Sequence, residues 1–291
     1  IGEIQKLDCR RWADNIYKID KSSKTKNEII RLFKAVFTHA EEYFDLKLNP
    51  SRIINRAPKS LAAPENANIW SVSDFEKFIT YFDEIDEQGL IYKTFFTVAF
   101  WTGMRKGELQ ALQLQDIDHI NKTIRINKSV TLKFTGEGPV IKSPKTKSSI
   151  RTISIDDKTY NLLNKLISKR DYRKPKDDEF IFCRTMMPYV PIANTTIANK
   201  MTESIKVTGV RRIRFHDLRH SHASILIGNG VNIVAVSKRL GHSSIDMTLK
   251  VYTHVLPTAD QETVNMINSL QNSLQNVANE NGISYNDNND G

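Results

Sequence analysis

Cysteine is scarce in this chain: two in 291 residues. Cys9 and Cys183 lie far apart without metal-ligand spacing, so neither a disulfide framework nor a zinc site is indicated, and the usage suits a reducing cytoplasm. Long apolar runs are also missing. The longest, residues 95–101, falls well short of the ~20 residues a bilayer-spanning helix needs, which argues against a membrane protein. No signal-peptide pattern and no internal repeat is visible. Acidic residues are in deficit, 33 Asp and Glu against 42 Lys and Arg, for a net charge of +9. Such an excess favours a polyanionic partner, although a solvated basic surface would give the same total, so placement has to decide. Apolar residues at 40% and charged residues at 26% are ordinary for a globular protein with a substantial core.

Helical periodicity over residues 27–44 puts Ile30, Phe33, Val36, Phe37, Ala40 and Phe44 on one face, with Lys26, Arg31 and Lys34 off it. Asn49-Pro50 ends that pattern, because proline disfavours helix at the residue before it. Residues 1–64 thus read as a small helical bundle with a basic exterior, and 57–68, with two prolines and no periodicity, as a linker. Ser73 with Glu76 reads as a capping box opening a second domain. An apolar helix over 90–102 follows, with Gly103 placed to end it. Strand signals at 123–126, 130–134 and 151–155 predict a small antiparallel sheet whose last hairpin tip, 142–147, carries lysines. Helices are predicted over 156–169 and 194–207, and two more, broken at Gly228-Asn229-Gly230, within 213–255. Residues 257–275 are weakly helical, and the Asn-rich last dozen have a disordered composition. The fold class is mainly α with a small antiparallel β-sheet, in two domains.

The chemistry concentrates in 213–255, where His216, Arg219 and His220 are followed by His242 and then Tyr252. Histidines four apart on a helix could chelate a metal. The zincin pattern, however, needs Glu directly after the first His, and Asp217 stands there, while Arg211, Arg212, Arg214 and Arg219 would repel a divalent cation. The same cationic density suits an anion, since the guanidinium fork matches phosphate oxygens. His242 follows Gly241 and precedes Ser243-Ser244, a capping signal that puts it at a helix N-terminus, where phosphate is favoured. His222 reads as a helix residue bonded to its neighbours. Tyr252 alone would read as half-buried packing, and only its company promotes it.

Five stretches, in order, carry a resemblance: Thr102-Gly103-Met104-Arg105-Lys106-Gly107-Glu108-Leu109; Pro144-Lys145-Thr146-Lys147 with Arg151-Thr152-Ile153; His216-Asp217-Leu218-Arg219-His220; Leu240-Gly241-His242-Ser243-Ser244; and Tyr252-Thr253-His254-Val255. With them the chain resembles the tyrosine recombinases of the lambda-integrase family, closest to integrases of phages and conjugative transposons of Gram-positive bacteria. The resemblance implies that Arg105 and Arg219 clamp one DNA phosphate and that Tyr252 attacks it to form a 3′-phosphotyrosyl bond. It implies that His216 helps accept the phenolic proton and that His242 donates to a phosphate oxygen. Lys145 is the implied donor to the leaving 5′-hydroxyl, favoured because the family lysine precedes a Thr; Lys147 and Lys142 are close by and leave that choice open. Glu108 takes an orienting role. Neither a metal nor any cofactor is implied, and the chain shows no Walker loop or carboxylate cluster.

The implied domains are a helical core-binding domain at 1–64, a catalytic domain at 65–260, and a C-terminal helix and tail at 261–291. Core-binding and catalytic domains would close around the duplex. The chain would be truncated at its N-terminus, lacking the small arm-site domain of many such integrases. Implied partners are double-stranded DNA at attachment or transposon-end sites and a homo-tetramer on that DNA, whose neighbour receives the segment after Tyr252. An excisionase or a host DNA-bending protein would assist, and no membrane is involved. Two alternatives use the same residues: a type IB topoisomerase, which relaxes DNA without exchanging strands, and a non-catalytic DNA-binding regulator.

Overall fold

The computed structural model describes residues 2–58, 68–132, 139–143, 149–169, 174–183, 186–252, 264 and 267–269; for 132, 247 and 250–252 only the backbone is described. The chain divides into two compact units, Ile1–Glu65 and Asn66–Gly291.

In the first unit, α1 (Lys6–Lys18) and α2 (Ser23–Tyr43) are followed by a 3-10 turn, Pro50–Ile53. α2 starts earlier than its apolar stripe because Ser22 caps it, its hydroxyl accepting the Thr25 N–H at 3.2 Å. Ile30, Phe37 and Ala40 are buried, and Phe33 stacks on Trp12 of α1 with ring centroids 3.8 Å apart. Val36 and Phe44, expected on the same buried stripe, are instead 54% and 73% exposed. Both lie outside the cluster in which Ile30, Phe33 and Phe37 pack with α1 and the turn, so the stripe is wider than the face that is covered.

The second unit opens on Trp70, buried, with its N–H on Ser221 Oγ at 2.8 Å and its indole Nε1 on the Arg211 carbonyl at 2.7 Å. That anchor sets where α3 (Val72–Ile79) starts. Ser71 is its cap, with Asp74 completing the capping box, rather than the expected Ser73 and Glu76; both pairs fit the same pattern. α4 (Glu87–Thr102) is buried on nearly every side, as a helix apolar all round must be. Phe100 stacks on Phe75 at 4.0 Å, and Phe95 meets Phe182 edge-on at 5.0 Å. Gly103 ends α4 at φ +66°, as its sequence position implies, and the short α5 (Lys106–Gln110) follows.

Among the described residues two small sheets stand where one was expected. β1 (Ile117–Asp118), β2 (Thr123–Ile126) and β5 (Arg151–Ser154) form one antiparallel sheet, with Ile124 opposite Ile153 facing the core. β3 (Ser129–Leu132) pairs with β4 (Pro139–Lys142), which reads in sequence as the lead into a loop. Pro139 is tolerated as the first residue of its strand. The hairpin-tip lysines Lys145 and Lys147 lie outside the described residues.

α6 (Asp157–Ser168) and α7 (Asn194–Thr208) lead to three helices in place of the expected two: α8 (Phe215–Gly228), α9 (Ile233–Leu240) and α10 (Ile245–Tyr252). The further break is at Gly241, φ +68°, where the Ser243-Ser244 capping signal already implied a helix start. Most of 253–291 lies outside the described residues, where 264 and 267–269 are helical. Among the described residues no helix is long and apolar enough to cross a membrane.

Candidate active site

The candidate site gathers where α4 and α9 both end. A helix leaves its last carbonyls without intrahelical partners. At α9 the Ser237 and Lys238 carbonyls are taken up by the N–H groups of His242 and Gly241. The next three carbonyls in sequence accept from three arginines. Arg239 O receives Arg151 Nε at 2.7 Å, Leu240 O receives Arg219 Nη2 at 2.7 Å, and Gly241 O receives Arg105 Nη2 at 3.2 Å. At α4, Gly103 O receives Arg219 Nη1 at 2.7 Å and Trp101 O receives Arg239 Nη2 at 3.2 Å. Helix C-termini carry partial negative charge, so each guanidinium meets complementary polarity there.

Arg105 is the residue before α5, and its backbone N–H and Nη1 both reach Glu108, at 2.9 and 2.8 Å. Glu108 is 6% exposed and is forked from the other side by Arg151, with Nη1–Oε1 at 3.1 Å and Nη2–Oε2 at 2.9 Å. Burial pushes its carboxyl up, but Arg151 and Arg105 outweigh this and hold it below the ordinary carboxylate range. Arg219, on α8, is 3% exposed with its carbonyl contacts already described. The two arginines expected to clamp an anion are therefore fixed by backbone carbonyls and a buried carboxylate, with Arg105 keeping partial exposure.

The histidines surround them. His216 and His220, one turn apart on α8, meet edge-to-face at 4.9 Å. Burial lowers the pKa of His216, and the neighbouring His220, Arg219 and Arg105 lower it further. His242 is pushed down to about 4 by burial and by the fields of Arg219 and Arg105. Both imidazoles are thus neutral at pH 7. His242 Nδ1 lies 2.7 Å from the hydroxyl of Thr248, a buried residue of α10. Position 252 falls one turn after Thr248 on the same face of α10, and α10 packs on α9 and α8. Only the backbone of Tyr252 is described, and Lys145 lies outside the described residues.

Sequence reasoning brought Arg105, His216, Arg219 and His242 to one place, and the structure groups them. His222 is a packing residue, as read: it is buried, pushed down to about 3, and accepts at Nε2 from Arg239 Nε at 3.2 Å. Two of the residues in that cationic stretch also make structural contacts. Arg211 donates to the Ile69 carbonyl, and Arg214 forks Asp217 at 3.0 and 3.1 Å. No role was assigned in sequence to Arg151, Arg239 or Thr248. Arg239 and Thr248 flank His242 on adjoining helices, which is the only signal that could have found them. Among the described residues no cluster of three or more His, Cys, Asp or Glu could hold a metal ion.

A family model described as the phage integrase family matches residues 71–258. The ICEBs1 integrase of Bacillus subtilis (strain 168) is 33% identical over 279 residues, covering 92% of this chain and 73% of that protein. A tyrosine recombinase XerC-like protein of Caldanaerobacter subterraneus subsp. tengcongensis is 30% identical over 289 residues, covering 93% of this chain and 72% of that protein. Among solved structures, the Tn1549 transposon integrase in complex with transposon right end DNA has a TM-score of 0.69 at 25% identity, covering 92% of this chain and 86% of that one.

Proposed function

Because this chain belongs to the phage integrase family, and is a tyrosine site-specific recombinase of the kind mobile elements use as integrases, we propose that its cationic pocket holds one phosphodiester of double-stranded DNA and that Tyr252 cuts it. The observation that carries this reading is the pairing of Arg105 and Arg219 on the adjacent carbonyls of Gly241 and Leu240. Guanidiniums fixed before substrate arrives stabilise charge as it builds on the phosphorane, without reorganising at the moment of reaction.

The Tyr252 phenol oxygen attacks phosphorus, its proton passing to the neutral His216 as the O–P bond forms. A P–O bond to tyrosine forms while the P–O5′ bond breaks, and Lys145 gives its proton to the departing 5′-oxygen; Lys147 is the competing donor. The 3′-phosphotyrosyl ester conserves the bond energy, so a 5′-hydroxyl from a second duplex rejoins the strand by the reverse steps without ATP. If Thr248 donates to Nδ1 of His242, Nε2 carries the imidazole proton and donates to a phosphate oxygen. Arginine and lysine supply the charge that a divalent ion supplies at other phosphoryl-transfer sites.

The Tn1549 relative is bound to transposon end DNA, and we assign this chain the attachment or end sites of its own mobile element. It acts there as a homo-tetramer in the cytoplasm, assisted by an excisionase or a host DNA-bending protein. The first unit, residues 1–64 of the sequence division, contributes phosphate contacts through its basic exterior. Strand exchange between two duplexes carrying those sites tests the reading. Recombinant products formed in EDTA support it. Supercoil relaxation without recombinants would make the chain a topoisomerase, and DNA binding without cleavage a regulator.

A further inference from the structure

Arg239 touches none of the groups assigned to the reaction, yet its side chain ties together three elements that frame them. Nη2 donates to Trp101 O at the end of α4, at 3.2 Å, and Nη1 to Ser154 O in β5, at 3.1 Å. Nε donates to His222 Nε2 in α8, at 3.2 Å, and the Arg239 carbonyl accepts Arg151 Nε at 2.7 Å. Burial lowers the pKa of this guanidinium, most of whose surface is covered. His222 can accept because burial holds its imidazole neutral.

The residues that follow are the ones that matter to the pocket. Leu240 O holds Arg219, Gly241 O holds Arg105, and His242 comes directly after. The position of this turn sets the position of two guanidiniums and one imidazole at once, and Arg239 is the side chain that pins the turn to α4, β5 and α8.

Resting on the reading of the pocket as a phosphate clamp, we infer that Arg239 is a positioning residue for strand cleavage, acting through Arg105, Arg219 and His242. A planar fork with three separate acceptors is not reproduced by an ammonium, so lysine should restore only part of what alanine loses. A reacting group displaced by about 1 Å from its productive geometry costs on the order of 100-fold in rate.

The test is a double-mutant cycle on single-turnover cleavage, using nicked suicide duplexes built on the junction sequence of the DNA element that encodes this chain. Arg239→Ala should cleave about 30- to 100-fold more slowly than the parent, with DNA affinity within about threefold, and Arg239→Lys should fall between them. Because the effect travels through the clamp, Arg239→Ala combined with Arg105→Lys should be no more than about fivefold slower than Arg105→Lys alone. Fully multiplicative losses, or parental cleavage by Arg239→Ala, would overturn the inference. Should Arg239→Ala fail to fold, Arg239→Lys carries the same cycle. Arg105→Lys cleaving at the parental rate would instead sink the reading of the pocket, whatever Arg239 does.

Discussion

Glu108 and Arg151 form a two-pronged ion pair in which each side chain is 6% exposed. The pair joins α5 to β5, and Arg105 leans on the same carboxylate. Removing one partner of a buried pair leaves the other charged and unpaired, which costs about 3–5 kcal/mol. Glu108→Ala should lower the urea-unfolding free energy by that amount. Because the folded carboxyl sits below its ordinary value near 4.5, its contribution is complete above that pH and is lost as the pH falls through the folded value. The variant's stability should therefore change less than the parent's below pH 4.5; parallel curves would contradict the pairing.

Gly103 lies at φ +66°, and a Cβ there would stand 2.7 Å from Leu240 Cδ2 and 2.8 Å from His222 Cδ2. Left-handed backbone costs an ordinary residue about 1–2 kcal/mol before either clash is counted. The Gly103 carbonyl also holds Arg219. Gly103→Ala should lower the melting temperature by several degrees. At a temperature where it is fully folded, it should still cleave DNA at least about tenfold more slowly than the parent. Cleavage that merely tracks the folded fraction would show that the carbonyl has no part in placing Arg219.

Two neutral histidines, one buried and one half-buried, make the fold sensitive to mild acid. His222 is held at about 3 and His242 at about 4, against an ordinary 6.5, so as pH falls the unfolded chain takes up these protons first. Their contribution is complete above about pH 6.5 and is lost as pH falls towards the folded values. Between pH 7 and pH 5 the unfolding free energy should drop by on the order of 3 kcal/mol. His222→Gln should remove about half of that slope, and a flat profile in the parent would contradict the lowered pKa of both imidazoles.

The motif order and the helical content are legible because they rest on local signals: spacing, capping residues and the glycines that stop α4 and α9. The gaps arise where the deciding contact is distant in sequence. Ser71 and Ser73 offer equivalent capping boxes, and only Trp70, tied to Ser221 and Arg211, selects the first. Val36 and Phe44 complete an apolar stripe, but periodicity does not say how much of a face a partner covers. The arginines are held by carbonyl oxygens, which every residue has, so a cradle made of Arg239 O, Leu240 O and Gly241 O leaves no trace in side-chain identity.

The Thr248 hydroxyl meets His242 Nδ1 at 2.7 Å, and on the proposed reading it donates there and so fixes the tautomer. Thr248→Val keeps the buried volume and removes the hydroxyl, freeing the imidazole to take the wrong tautomer. DNA binding should be unchanged while single-turnover cleavage slows by about tenfold or more, part of the roughly 10²- to 10⁴-fold that a positioned proton-handling group contributes. Parental cleavage by Thr248→Val would remove Thr248 from the mechanism and leave the contact as packing.

The central claim is that Tyr252 becomes joined to DNA. A nicked suicide duplex that loses the small 5′-hydroxyl fragment on cleavage traps the protein on the remaining strand, and mass spectrometry of the digested adduct identifies the linked residue. The account predicts a 3′-phosphotyrosyl peptide containing Tyr252, formed in EDTA and absent from Tyr252→Phe while that variant still binds the duplex. An adduct on another residue, or one that persists in Tyr252→Phe, would contradict it.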